Sequence, residues 1–562
     1  MKNIYFFTLL FVSLLLSAQN NYEITVPEGR YQIDTTNELI ICKIDITQFP
    51  DFSSYDAVIL SLDTDYEFTV KPNTISHQES YTVEHNDVQY ALFFSVFPII
   101  SINTELEIID EPKRLATFVY ADLEDIKTAQ MGIELRGATS QTYPKKTYDL
   151  EFWEDPNGDE NIDMQFGNLR EDDDWVLDAI YNEPLRLRAF SSHQLWLDIH
   201  TPYYLDQEED AKSGANVMYV DVFLNNEYNG VYMLSEQVDR KQLKLKKYNN
   251  DIRGELYKGD SWTSGNARFN ELLDYDNTSD IWGDYELKLP DPDDAIDWEN
   301  LYDFTDFVIN SNLQDFRDEI GEKLKLENAF DYFIFLNLLR ATDNTGKNLY
   351  TAKYNQDEPY FFAPWDLDGV FGTNWFGNND NITDDILSNG LFNRLIHLTP
   401  DEAMGNMIAE RWFELRLGVL STEALNSRLT GNYNLLKDNL VYARERLIWQ
   451  NYDYDEASKT YMDNWLLNRL DYLDIYFDNL LSVETFENDI TSINVYPNPT
   501  TDFIYINSNI TDITTYTITN IHGSVMAKGN FDPANNTITI KGFARGIYFL
   551  NLYNQVKKII VK

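Results

Sequence analysis

Asp343-Asn344-Thr345-Gly346-Lys347-Asn348, followed eighteen residues later by Asp366 within Trp365-Asp366-Leu367-Asp368-Gly369, is the stretch from which the fold is best read. It comes just after an apolar helical run, Tyr332 to Leu339. Phosphoryl transfer needs one carboxylate to orient a hydroxyl, and a second carboxylate with an amide oxygen to hold Mg²⁺ on the nucleotide phosphates. Asp343, Asp366 and Asn348 supply that set. Each run alone is common, since D-x-x-x-x-N recurs by chance in so acidic a chain and D-L-D-G also suits a simple turn. Their order after a β-rich half is the stronger signal.

Outward from this stretch the pattern divides. Residues 20 to about 103 hold short β-rich runs (Tyr22 to Val26, Glu38 to Ile46, Ala57 to Leu62, Tyr81 to Val83, Val88 to Phe97) between Pro, Asp, Asn and Ser clusters, which predicts an all-β accessory module over 19–103. Strands continue from Leu106 to about Gly259, with a helical interlude near Asn182 to Asp198. After Asp297 the apolar period becomes 3.6, in Trp298 to Ile309, Asn328 to Leu339, Asp401 to Leu417, Ser421 to Gln450 and Ser458 to Leu481. A β half followed by an α half predicts a two-lobed α+β domain over 104–482, with room for a cleft between lobes. The run Tyr90 to Ile100 falls short of the ~20 residues a bilayer span needs and reads as a doubly buried strand. There is no internal repeat.

Upstream, Met131-Gly132-Ile133-Glu134-Leu135-Arg136-Gly137-Ala138-Thr139-Ser140 leads into Tyr143-Pro144-Lys145-Lys146-Thr147-Tyr148-Asp149-Leu150-Glu151-Phe152: strand, small-residue turn, strand. Alternation puts Lys146 on the face of Tyr148, Leu150 and Phe152, and Lys145 with Thr147, Asp149 and Glu151. Lys146 is therefore expected inward, where a lysine needs an anionic partner such as nucleotide phosphate. The alternative is a lysine that runs along the sheet edge to water. The turn Gly137 to Gln141 can present backbone N–H groups to phosphates, but no G-x-x-x-x-G-K-[ST] exists in the chain.

Leu135 to Ser140 with Pro144 to Tyr148, then Tyr181-Asn182-Glu183-Pro184-Leu185-Arg186-Leu187-Arg188, Val222 to Glu236, Asp343 to Asn348 and Pro364 to Gly369 together resemble the successive blocks of the CotH family of spore-coat kinases. The likeness covers roughly 105–480. It implies an atypical protein-kinase-like fold that uses ATP and a divalent ion, Mg²⁺ or Mn²⁺, to phosphorylate Ser or Thr of secreted or coat proteins. Carried over, Asp343 matches the catalytic Asp, and Asn348 and Asp366, with Asp368 of the same D-L-D-G run, fall at metal-binding positions. Arg136 and Lys146 fall where phosphates are held, and Glu236 where a kinase-like hinge meets adenine. The chain departs from the family at Ala138-Thr139, where Asn-Ser is frequent, and at Ala189, where an Asn often follows the Arg.

Both ends look like addresses. Met1-Lys2-Asn3, an apolar stretch Ile4 to Leu16 and Ser17-Ala18-Gln19 predict a signal peptide over 1–18. At the other end, Val495-Tyr496-Pro497-Asn498-Pro499, the alternating Phe503-Ile504-Tyr505-Ile506, Gly546-Ile547-Tyr548 and the basic last strand predict a small β-sandwich over 490–562. That pattern resembles the type A sorting domain of the type IX secretion system of Bacteroidetes. It implies handling by that machinery and a final position outside the cell or on the outer-membrane surface; a secreted or surface protein as substrate is what the kinase resemblance implies.

The 562 residues carry 93 acidic and 44 basic side chains, a formal charge of −49, which argues against nucleic acid or an anionic membrane as main partner. A single cysteine, Cys42, excludes an internal disulfide, and six histidines make no H-E-x-x-H or comparable ligand spacing. No later segment is long enough for a transmembrane anchor. Asp155, Asn157, Asp159, Asn161 and Asp163 alternate as calcium-loop ligands do, yet Glu160 stands where the loop needs Gly and Phe166 where it needs Glu. Asp172-Asp173-Asp174 reads as a charged loop ahead of Trp175. Carboxylate abundance also permits a glycosidase pair but selects no two residues. The competing class is a surface binding or structural protein on a kinase-like scaffold.

Overall fold

The computed structural model describes residues 20–481 and 493–562, apart from 262–264, 399–402, 451, 453, 509–512 and 554. The expected signal peptide and the polar stretch Ser482 to Ser492 lie outside the described residues. The chain is a mixed helix-and-sheet protein, β-rich at both ends, and divides into two compact units.

The first unit comprises Met1–Arg186, Asn216–Gln237 and Gly431–Asp455. Its N-terminal part is a seven-stranded sheet in the order Tyr22–Thr25, Val58–Ser61, Asp65–Phe68, Tyr81–His85, Val88–Phe94, Leu39–Cys42, Tyr31–Asp34. Ile40, Leu60, Val83, Leu92 and Phe94 fill its core. The apolar run Tyr90 to Ile100, expected as one strand, is two: Val88–Phe94 lies inside this sheet, between Tyr81–His85 and Leu39–Cys42, and Ile99–Asn103 belongs to a closed barrel. Pro98, which has no N–H to donate, stands in the break.

Going round, that barrel runs Ile126–Leu135, Tyr148–Trp153, Asp174–Asp178, Glu227–Ser235, Val217–Leu224, Ile99–Asn103, Arg114–Ala121. Closure leaves no open edge. Ile133 pairs with Leu150 and Met131 with Phe152, and these four point into a core shared with Phe118, Phe166 and Trp175. The inward face expected for Leu150 and Phe152 is thus the observed one.

The helical half does not stay apart from the β half. Its segment Gly431–Asp455 belongs to the first unit, where helix Val441–Ile448 packs on strand Glu227–Ser235. Two buried anions and three buried cations lock it: Arg444 pairs with Asp221 at 3.0 Å, while Glu445 pairs with Lys145 at 2.9 Å and Arg186 at 3.1 Å.

The second unit comprises Leu187–Ala215, Val238–Thr430 and Glu456–Lys562. A five-stranded antiparallel sheet runs Ile281–Trp282, Tyr285–Leu289, Glu255–Gly259, Leu349–Lys353, Tyr360–Pro364. Helix Leu326–Leu339 is buried from Asn328 to its end, which is why its apolar residues run all round rather than along one stripe. It packs on strand Tyr360–Pro364, and Asn328 there accepts from the Phe362 N–H at 2.6 Å and donates to its carbonyl at 2.9 Å. Helices Arg188–Ile199, Glu299–Asn310, Leu313–Lys323, Ala403–Arg416 and Glu456–Leu480 also belong to this unit. The C-terminal region is a β-sandwich of a three-stranded and a four-stranded sheet around Ile504, Ile518, Phe531 and Leu550. Among the described residues no helix is long and apolar enough to cross a membrane.

Candidate functional site

The spacing of Asp343, Asn348 and Asp366 becomes geometry through one hairpin. Strand Leu349–Lys353 starts immediately after Asn348, strand Tyr360–Pro364 ends two residues before Asp366, and the register pairs Leu349 with Pro364. Asn348 and Trp365 therefore face each other at the hairpin's open end, with the Trp365 N–H donating to the Asn348 carbonyl at 3.0 Å. Asp343 reaches the same end from the short turn Thr342–Asn344 that follows helix Leu326–Leu339.

The three side chains meet. Asn348 Nδ2 donates to Asp343 Oδ2 at 3.0 Å and to Asp366 Oδ2 at 3.2 Å. Asn348 and Asp366 both have left-handed backbone, φ 54° and 52°, a conformation Asn and Asp tolerate better than other non-glycine residues. Asn348 is buried, Asp343 half-buried and Asp366 exposed, so the cluster opens to water on the Asp366 side. Asp368 follows, half-buried, in the turn before Gly369.

Residues that sequence patterning did not single out hold this cluster in shape. Asn344 donates from Nδ2 to the carbonyls of Asn348 (3.2 Å) and Trp365 (2.7 Å), and its own carbonyl accepts from the Tyr332 hydroxyl at 2.8 Å. The Asn348 N–H donates to the Gly259 carbonyl at 3.0 Å. Gly259 has to be glycine, because a Cβ there would lie 1.8 Å from the Gly346 carbonyl oxygen. Burial raises the Asp343 carboxyl above its ordinary range, the Lys347 ammonium opposes this, and the charges of Asp366 and Asp260 add to the rise. Asn344 and Lys347 lie within the opening hexapeptide, whereas Gly259 ends a neighbouring strand and Asp260 follows it, and no local pattern ties either to the hexapeptide.

Carboxylate and amide oxygens are the donors a hard cation such as Mg²⁺ or Mn²⁺ takes. The residues present fit one: two carboxylates already converge on a single amide, and turning that amide presents Oδ1 to the same space.

The other expected residues lie in the first unit and are engaged there. Lys145, not Lys146, is the buried lysine. The ladder ends where the Arg136 N–H meets the Thr147 carbonyl, and strand Tyr148–Trp153 does not extend back to either lysine, so alternation carried past Thr147 assigns the wrong face. Lys145 Nζ donates to the Val231 carbonyl (2.6 Å) and Glu445 (2.9 Å), and lies 4.5 Å from the Tyr232 ring centroid. Burial, opposed by Glu445 and reinforced by Arg186, brings its pKa down to about 8. Burial alone would raise Glu445, but Lys145 and Arg186 outweigh it and hold that carboxyl below its ordinary range. Half-buried Lys146 donates to the Gln141 carbonyl at 2.7 Å and closes the turn.

Arg136 is paired with Asp149, which also takes Lys113 at 3.1 Å. The Glu236 side chain, expected beside adenine, is buried, with Oε1 accepting from the Arg170 N–H (2.7 Å) and Oε2 from the Asn216 N–H (2.9 Å). It clamps two backbone segments. Asp155 caps its own loop by accepting from the N–H groups of Asn157, Asp159 and Glu160. Glu151, Asp173 and Asp174 crowd together nearby, and Asp174 is pushed up to about 7 by burial and then by the charges of Asp173 and Glu151.

The whole is a mixed helix-and-sheet protein with β-rich ends and an oxygen-rich cluster at the mouth of a helix-backed hairpin. It belongs to the CotH kinase protein family, whose family model matches residues 133–473 and so takes in every residue of the cluster. A second family model, the secretion system C-terminal sorting domain, matches residues 494–562, and it marks the chain for secretion and surface attachment. A search of curated proteins returned no match.

Proposed function

We propose that the chain is a secreted or surface-attached kinase that transfers the γ-phosphoryl group of ATP to Ser or Thr hydroxyls of extracellular proteins. The kinase-like, two-lobed reading of residues 104–482 belongs to the same proposal and is supported by the family match. The observation that carries it is Asn348 bridging Asp343 and Asp366. Asp343, half-buried and with its carboxyl raised, is the group that orients the acceptor hydroxyl and takes its proton as the new ester bond forms. Asp366 and Asn348, with Asp368 beside them, would hold the metal. A bound Mg²⁺ or Mn²⁺ supplies neutralisation of charge on the phosphate oxygens. Asn344 and the Gly259 carbonyl fix the backbone of Asn348 and Trp365 beside the two carboxylates, so that only the Asn348 amide has to turn for an oxygen to face the cation.

Lys146 and Arg136 remain the phosphate-side candidates of this proposal, because neither is sealed from water as Lys145 is. Purified protein incubated with γ-labelled ATP, Mg²⁺ or Mn²⁺ and candidate surface proteins tests the whole. Label on an acceptor or on the chain itself supports it. No transfer to either, with no Mg²⁺-dependent binding of ATP, leaves a binding or structural protein on the same scaffold.

A further inference from the structure

The chain between Asp366 and Gly390 leaves the cluster at one carboxylate and returns to it at the turn that carries the other. It is tied down along the way. The Tyr461 hydroxyl donates to the Gly372 carbonyl (2.9 Å), and Trp465 Nε1 to the Ile382 carbonyl (3.1 Å). Asn337 exchanges two hydrogen bonds with the Leu387 backbone, at 3.0 and 2.8 Å. Asn389 Nδ2 donates to the Thr345 carbonyl, two residues past Asp343, at 3.0 Å.

At the centre stands Arg340. It caps helix Leu326–Leu339 in a left-handed conformation, φ 52°, three residues before Asp343. Its side chain is only 9% exposed. Nε donates to both Asp385 oxygens at 2.8 and 3.0 Å, Nη2 to Asp385 Oδ2 at 2.8 Å, and Nη1 to Asp380 Oδ2 at 2.6 Å. A second buried arginine, Arg469, donates to the carbonyls of Asp385 (2.6 Å) and Thr383 (3.0 Å). An isolated surface ion pair adds little, but a forked guanidinium–carboxylate contact with four donated bonds fixes position as well as charge.

We propose that Arg340 is a positioning residue for the Asp343 site: it holds the segment 372–388 in one register against the turn that carries Asp343, so that an acceptor polypeptide meets a fixed edge. Both anionic partners are carboxylates of the chain itself. The hold is therefore complete once the chain folds and needs no added phosphate. This inference rests on the phosphotransfer reading of the same site.

The test measures amide hydrogen exchange over 372–388, Mg²⁺-ATP binding and turnover in the full chain and in Arg340→Ala, Arg340→Lys and Asp380→Asn. Asp380→Asn removes one partner and keeps the fold if Arg340→Ala does not. Exchange in 372–388 should rise in the order wild type, Asp380→Asn, Arg340→Lys, Arg340→Ala. Turnover should fall by roughly 10- to 10²-fold in Arg340→Ala, with Mg²⁺-ATP affinity unchanged. Lysine restores the charge but not the fork, so it should rescue only partly. Unchanged exchange in Asp380→Asn and Arg340→Lys alike, or faster exchange with full turnover, overturns the proposal. A wild type that transfers nothing overturns the reading of the site instead, and the exchange order then decides by itself whether Arg340 holds the segment.

Discussion

Asp343 and Asp366 touch the same amide yet differ in what surrounds them. Asp343 is half-buried with its carboxyl raised, as the proposed acceptor-orienting group should be, whereas Asp366 is exposed on the open side of the cluster, as the proposed metal ligand should be. Asp343→Asn should therefore abolish transfer while leaving Mg²⁺-ATP binding largely intact, and Asp366→Asn should remove both. Losses of about 10²-fold or more in rate are expected for either. Single-turnover transfer beside equilibrium nucleotide binding checks this, and equal loss of binding in the two variants would contradict the division of roles. The two lysines give a second contrast. Lys145→Ala strands Glu445 with one cation fewer in a fully buried site and should cost about 3–5 kcal/mol. Lys146→Ala removes one bond to the Gln141 carbonyl at a half-buried position and should cost about 1 kcal/mol or less. Urea denaturation of both variants distinguishes them, and equal midpoints would refute the assignment. Asp174 gives a pH dependence. Its folded pKa, about 7, lies above the ordinary carboxyl value, so the folded state binds its proton more tightly than the unfolded chain does. The stability this adds is complete below pH ~4 and lost as pH rises through about 7. Asp174→Asn should accordingly gain about 1–2 kcal/mol over wild type at pH 8 and little at pH 4, read from urea midpoints at the two pH values.

At the scale of elements, the site depends on how helix Leu326–Leu339 grips strand Tyr360–Pro364. Asn328 satisfies both backbone groups of Phe362, and all of these atoms are buried. Asn328→Ala should leave that N–H and carbonyl unpaired and cost about 2–4 kcal/mol, measurable in thermal or urea unfolding. Asn328→Asp, which can still accept from the N–H but cannot donate, should not restore it. This grip also explains which parts were legible in sequence. Asp343, Asn348 and Asp366 stand out because the contacts joining them are local: a turn five residues long and a hairpin that closes eighteen residues later. A period of two gives Lys145 the wrong face because the strand Tyr148–Trp153 does not reach back past Thr147. Glu445 and Arg444 gave no signal at all, since their partners lie hundreds of residues away, 300 in the case of Lys145, and nothing in a helical period shows which sheet a helix will meet. The β-then-α order correctly indicates a mixed fold but conceals the return of Gly431–Asp455 to the β unit.

At the scale of the whole molecule, the question is whether the C-terminal address is separable from the chemistry. The sorting domain has its own core of Ile493, Ile504, Ile506, Ile518, Phe531 and Leu550, so it does not borrow burial from the helices before it. One contact that does tie it to them is Lys558 of the last strand, which pairs with Asp478 at 2.7 Å and sits 3.4 Å from the Phe413 ring centroid. Asp478 is half exposed, which screens the pair in part, but the Lys558 side chain is only 8% exposed, so its cation–ring contact adds about 2 kcal/mol. Truncation after Leu481 should thus shift the unfolding free energy of the remainder by only about 2 kcal/mol, leave any phosphotransfer intact, and stop delivery to the cell surface. Lys558→Ala separates the two effects: it removes the contact but keeps the address, so it should match the truncation in stability and the full chain in delivery. Surface delivery of the truncated chain would refute the sorting role. A truncated chain that loses its cooperative unfolding would show that Lys558 marks a true domain interface, and the address and the catalytic region would then have to be treated as one folding unit.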